Sequence, residues 1–106
     1  MIKKLCASCF LLLAATHVLA LDWNACYLVN EDRRTVKYSV FMDRKSDSRT
    51  QEAAYKAFLG DALGSPHCWT RAGAASDAAI LNSLNSEVLA AYQRRGYRVE
   101  RVGYAR

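Results

Sequence analysis

The sequence predicts an α+β domain in the order β-β-α-α-β: a three-stranded antiparallel sheet, two helices packed on one of its faces, and one disulfide. Three observations carry this. Two segments near residue 30 alternate apolar and polar residues with period two. Two later segments repeat apolar residues at helical spacing, and a glycine follows each. Two cysteines remain once an N-terminal leader is set aside.

Residues 1–20 read as that leader. Lys3 and Lys4 make a positive start, and residues 5–15 form an apolar run well short of the ~20 residues that span a bilayer. Val18-Leu19-Ala20 fits a small-residue cleavage pattern, so a signal peptide ending near Ala20 is expected. Cys6 and Cys9 sit at the start of the apolar run, whereas a lipid-modified cysteine follows it directly. The expected product is a single small domain, residues 21–106, periplasmic or secreted, with no transmembrane span after processing. A domain this short buries only enough surface to offset its chain entropy and benefits from a staple. Cys26 and Cys68, in an oxidising compartment, are expected to pair, stabilising the fold by roughly 4 kcal/mol through loop closure.

Along the mature chain, residues 21–30 place Leu21, Trp23, Ala25, Tyr27 and Val29 on one face and Asp22, Asn24, Cys26, Leu28 and Asn30 on the other. Residues 35–42 alternate likewise, with Val36, Tyr38, Val40 and Met42 together. The polar run 30–34 between them predicts a hairpin with Tyr27 near Tyr38. Ser48 and Gln51 have capping-box spacing, so a helix is expected over residues 49–63, with Tyr55, Phe58, Leu59, Ala62 and Leu63 inward. Gly64 is its expected left-handed terminator, and Pro66 blocks continuation. Residues 65–70 then read as a clamp between helices, tied by Cys68 to the first strand. Ser76 or Asp77 caps a second helix running to about residue 95, with Ile80, Leu81, Leu84, Val88, Ala91 and Tyr92 on its inner side. Gly96 ends it. Residues 97–104 form the last strand. Its alternation changes phase between Val99 and Val102, which a bulge near Glu100-Arg101 or two partly covered faces would explain.

The chemistry on offer is sparse. His67 and Cys68 are sequence neighbours, which point apart on an extended segment, so they do not form a nucleophile pair. His67, Cys68 and Met42 have no metal-ligand spacing around them. No phosphate-binding or dinucleotide glycine pattern occurs. No cofactor or metal is expected, and catalysis is not. A small hydrolase using carboxylates among Asp43, Asp47, Glu52, Asp61, Glu87 and Glu100 is the enzymatic alternative.

Charge points elsewhere. Removing the leader takes two lysines and no acids, leaving thirteen basic and ten acidic residues, a net +3. That is too mild for a nucleic-acid footprint. Arg94, Arg95, Arg98 and Arg101, with Arg106 beyond them, nevertheless gather near the C-terminus with only Glu100 against them. With Trp69 and Tyr104 as aromatic anchors they make a candidate interaction surface, since Arg and aromatic residues dominate binding hot spots. Edge-strand charges that prevent sheet-to-sheet association are the bland reading of the same arginines. The expected function is an exported binding module, inhibitor- or immunity-like, for an acidic exported protein. An anionic component of the envelope is the alternative partner.

Tyr38-Ser39-Val40-Phe41, Ala57-Phe58, Cys68, Ala78 and the ending Gly96-Tyr97-Arg98-Val99-Glu100-Arg101-Val102-Gly103-Tyr104 resemble small exported bacterial modules of uncharacterised function. In those modules a strand, a helix, a cysteine and a long helix precede a G-Y-x-V ending. They usually close on threonine-glycine-tryptophan, where this chain has Val102-Gly103-Tyr104. The resemblance implies an envelope location and a compact module, and carries no activity or site residue.

Overall fold

The two alternating segments form β1 (Asp22–Asn30) and β2 (Thr35–Asp43), an antiparallel hairpin in which Tyr27 lies opposite Tyr38 as expected. The structure, a computed structural model, describes residues 21–44, 46–71 and 73–104; the leader over residues 1–20 lies outside the described residues. The turn depends on Arg34 in a left-handed conformation, φ 53°, and on the Asn30 side chain, whose Oδ1 accepts the Arg33 N–H.

Helix α1 (Ser48–Leu59) begins and ends differently from its sequence signals. Asp47, rather than Ser48, is its N-cap. One carboxylate oxygen accepts the Thr50 N–H and the other the Thr50 hydroxyl, each at 2.8 Å. Gln51 leaves the capping box and turns inward, 2% exposed, to donate its Nε2–H to Asn24 Oδ1. Gly60, at φ 65°, terminates the helix four residues before Gly64. Gly64 has another role. A Cβ there would lie 2.2 Å from Leu28 Cδ2, so its missing side chain lets the backbone pass over buried Leu28.

The segment read as an inter-helix clamp is a strand, β3 (Ser65–Arg71), antiparallel to β1 with Cys68 opposite Cys26 and Pro66 opposite Leu28. Proline survives here because β3 is an outer strand, where a missing N–H costs no ladder bond. The second helical run, residues 77–94, comprises α2 (Asp77–Leu84), a π-helical turn (Asn85–Leu89) and α3 (Ala90–Arg94). Ser76 caps it by accepting the Ala79 N–H, and Gly96 follows it at φ 84°. The π turn widens the spacing of fully buried residues to Ile80, Leu84 and Leu89, while Val88 packs half-buried at the margin of the same core.

The last strand, β4 (Arg98–Arg101), is shorter than residues 97–104 and runs parallel to β2. The sheet is therefore four-stranded and mixed, in the order β3-β1-β2-β4, not three-stranded and antiparallel. Its register with β2 advances residue for residue, so the phase change in the sequence is no bulge. Tyr97 packs on one face of the sheet and Tyr104 on the other because both faces are covered.

The helices accordingly lie on opposite faces, not on one. Ala25, Val29 and Val36 pack against Ile80, Leu84, Leu89 and Tyr97. Cys26, Leu28, Phe41 and Cys68 pack against Tyr55. The crossover from β2 to β3 carries α1 over the second face. The crossover from β3 to β4 returns in the opposite direction with α2 over the first. The two crossovers share one hand, as the right-handed rule for parallel connections demands. The fold is α+β, with the Cys26–Cys68 disulfide in place.

Replacing both cysteines by serine is expected to lower unfolding free energy by roughly 3–4 kcal/mol in denaturant titrations, with little change where the thiols are already reduced. Gly64→Ala is expected to cost about 1–3 kcal/mol by overpacking against Leu28. Gly60→Ala, with open space around its Cβ, costs about 1 kcal/mol through backbone conformation alone.

Candidate functional site

The six residues expected to form one interaction surface are divided. Trp69 sits on β3, half-buried against the α2 side of the sheet opposite Ala25, with the Arg71 guanidinium 5.2 Å from its ring centre. Arg71 in turn pairs with Glu87 at 3.1 Å. Trp69 thus serves the margin of the core. Tyr104 lies on the other face, stacked on Phe58 at 4.8 Å and edge-on to Phe41 and Tyr55. Arg98 and Arg101 are on β4, at the opposite border of the sheet from Trp69.

The arginines differ in how far they are engaged. Arg95 covers the rings of Tyr92 and Tyr97 at 5.3 and 5.0 Å, and its carbonyl accepts a hydrogen bond from Arg34. The Tyr97 hydroxyl donates to Glu31 in the same cluster. This set ties the hairpin turn to the C-terminal end of α3, where carbonyls without helical partners favour cations. Arg98 lies 3.9 Å from Glu100. Arg94 and Arg101 are exposed and have no ion-pair partner among the described residues.

Each carboxylate proposed for catalysis has a local task. Asp43 accepts the Arg44 N–H, Asp47 caps α1, and Glu87 and Glu100 face arginines. Glu52 accepts the Cys68 N–H at 3.1 Å. Asp61 receives both bonds of the Asn30 amide, at 3.1 and 2.9 Å. Those bonds, the Leu63 N–H, and the charges of Lys37 and Arg33 hold the Asp61 carboxyl below its ordinary range. The groups are spread over separate elements, and among the described residues no three His, Cys, Asp or Glu side chains converge as a metal site. His67 stacks on Tyr27, with ring centres 4.9 Å apart, rather than joining any acid.

What the fold does assemble is a groove of about 380 Å³ between α2, the π turn and β2, lined by Tyr38, Ala78, Leu81, Asn82, Asn85 and Leu89. Its walls are mainly apolar, with two amides to accept and donate hydrogen bonds. Asn85 and Leu89 belong to the π turn, a helix irregularity that often marks a functional position. Tyr38 is the β-register partner of Arg101. Partners across a parallel pair share a face, so the free guanidinium rises on the face that holds the groove. The sequence hinted at this site only through the five-residue step from Leu84 to Leu89.

A second, more polar hollow of about 270 Å³ lies on the other side, between the α1–β3 connection and Asn30, Arg33 and Lys37. Asp61 already neutralises part of its charge. Nearby, a buried hydrogen-bond chain anchors the C-terminal segment. Tyr55 Oη and Ser39 Oγ are 2.8 Å apart, and Ser39 donates to the Val102 carbonyl at 2.7 Å. Comparison with models of protein families, with curated proteins and with solved structures finds no match for this chain.

Burial pushes the Tyr55 phenol up to about 12 from an ordinary 10.0, although its bond to Ser39 pulls the other way. An unfolded chain ionises Tyr55 first, so stability falls as pH rises from 10.0 towards 12. Tyr55→Phe is expected to flatten that part of the decline in pH-dependent denaturation. At pH 7 it costs about 1 kcal/mol for the lost hydrogen bond.

Proposed function

We propose that this chain is an exported module that binds another protein, in the manner of an inhibitor or immunity partner, through the face that carries the groove and Arg101. The observation that carries this reading is the juxtaposition of an apolar, amide-edged groove with an exposed guanidinium that has no ion-pair partner among the described residues. An apolar anchor side chain and a nearby carboxylate on the partner satisfy both, which is the usual composition of a compact hot spot. The leader signals of residues 1–20 and the Cys26–Cys68 bond support an oxidising, exported setting. The modest surplus of positive charge favours an acidic partner and leaves nucleic acid aside.

Capture from the exported protein fraction tests the reading. Wild type is expected to retain a defined partner with a salt-sensitive affinity. Arg101→Glu should weaken retention about tenfold or more, through loss of a charge pair and gain of repulsion. Leu81→Asp, which places a carboxylate in the groove, should abolish it. Equal retention by wild type and both variants overturns this surface. Intact mass of the exported protein is expected to lack residues 1–20 and two hydrogens, the signature of cleavage and of the disulfide.

A further inference from the structure

The two borders of the sheet are not equivalent. On β3, Cys26 and Cys68 are directly opposed with Cα atoms 4.1 Å apart, the close spacing of a pair that exchanges no backbone hydrogen bonds. The N–H and C=O groups of Cys68, and of Pro66 and Thr70 two residues either side, therefore point away from β1. Pro66 has no N–H, and the Cys68 N–H is taken by Glu52 from α1. The β3 border is thus largely closed to a further strand.

On β4 the opposite holds. Arg98 N–H donates to the Arg34 carbonyl at 3.0 Å, and Val102 N–H to the Tyr38 carbonyl at 2.8 Å. Alternate residues of a parallel strand bond to the same neighbour, so Val99 and Arg101 turn their N–H and C=O groups outward. Neither group has a partner among the described residues. Among the described residues no proline, bulge or covering carboxylate blocks this border. Its outward face is short and positively charged, with Arg98 and Arg101 against Glu100.

We propose that β4 is a strand-addition site, and that it takes an extended acidic segment of a partner protein whose side chains alternate between apolar and carboxylate. This rests on the binding reading above and adds its mode. Main-chain bonds to Val99 and Arg101 supply affinity, and side chains on the groove face supply specificity. One side chain of the added strand lies beside Arg101, on the face that also holds Tyr38 and the groove. Self-pairing of two copies is disfavoured, because each border brings two arginines and one glutamate to meet the same set.

The probes are short peptides of alternating valine and glutamate, with alternating valine and lysine as the control. The protein is the oxidised, exported form, uniformly labelled with nitrogen-15. The valine–glutamate peptide is expected to bind, to shift the Val99 and Arg101 amide resonances and to slow their hydrogen exchange, while β3 amides stay unchanged. The valine–lysine peptide is expected not to bind. Arg101→Pro removes an outward donor without touching the Arg98 and Val102 bonds, and should weaken binding about tenfold. Arg101→Gln keeps the donor and should weaken it only a few-fold, and its near-native behaviour keeps the test sound should the proline variant misfold. Absence of binding, binding that leaves the Val99 and Arg101 amides unperturbed, equal binding of the lysine peptide, or protection of those amides by dimerisation without peptide each overturns strand addition. A partner retained in the capture experiment while these amides stay unperturbed overturns the mode and leaves the binding module standing.

Discussion

The covalent bond between Cys26 and Cys68 fixes one of the two strand pairings that no short turn can secure. β1 and β2 find each other through a short turn, but β3 must return across the hairpin after a helix and settle against the far side of β1. It does so carrying a proline and only seven residues. A bond at the centre of that pairing holds its register, because a one-residue slip would turn every β3 side chain to the wrong face. α1 is then fixed in turn. Tyr55 packs on the disulfide face, Glu52 reaches the Cys68 N–H, and Gln51 meets Asn24. Asn24 also accepts from the Thr70 hydroxyl, so one buried amide joins β1, α1 and β3.

That network explains which parts of the fold could be read in the chain. The hairpin, both helical runs and the disulfide follow from strong local patterns with little competition. Cover on the second face was hinted at by the phase change in the last strand, but a helix packed there was not expected, because the residues of that face include Asn24, Asn30 and Ser39, which look like solvent positions. They are buried because each has a partner that only tertiary structure supplies: Gln51, Asp61 and Tyr55. β3 was hidden for a related reason. Gly64 and Pro66 are breakers in any local reading, yet one permits a close passage over Leu28 and the other occupies a border where its missing donor is harmless.

The candidate site was less legible than the fold. The arginine cluster was visible in sequence, but Trp69 and Tyr104 were assigned to it by residue type, and the sheet places them at a far border and on the opposite face. The groove is formed by the π turn, whose effect is a rotation of one residue in the helix face. A stripe of Ile80, Leu84 and Val88 is the ordinary continuation, and Leu89 competes with it by a single step. Nothing in a local propensity decides between them. Packing against Val36 and Tyr97 does.

The position of the disulfide within the chain divides the molecule in a further way. The closed loop encloses the hairpin turn, β2, α1 and most of β3, whereas α2, the π turn, α3 and β4 all lie beyond residue 68. Cross-linking therefore narrows the unfolded ensemble for one half only. The other half is held by apolar packing and by the polar latches at Arg34 and Ser39. The free strand border and every groove residue except Tyr38 lie in this half, so the two borders of the sheet differ in covalent constraint as well as in hydrogen bonding.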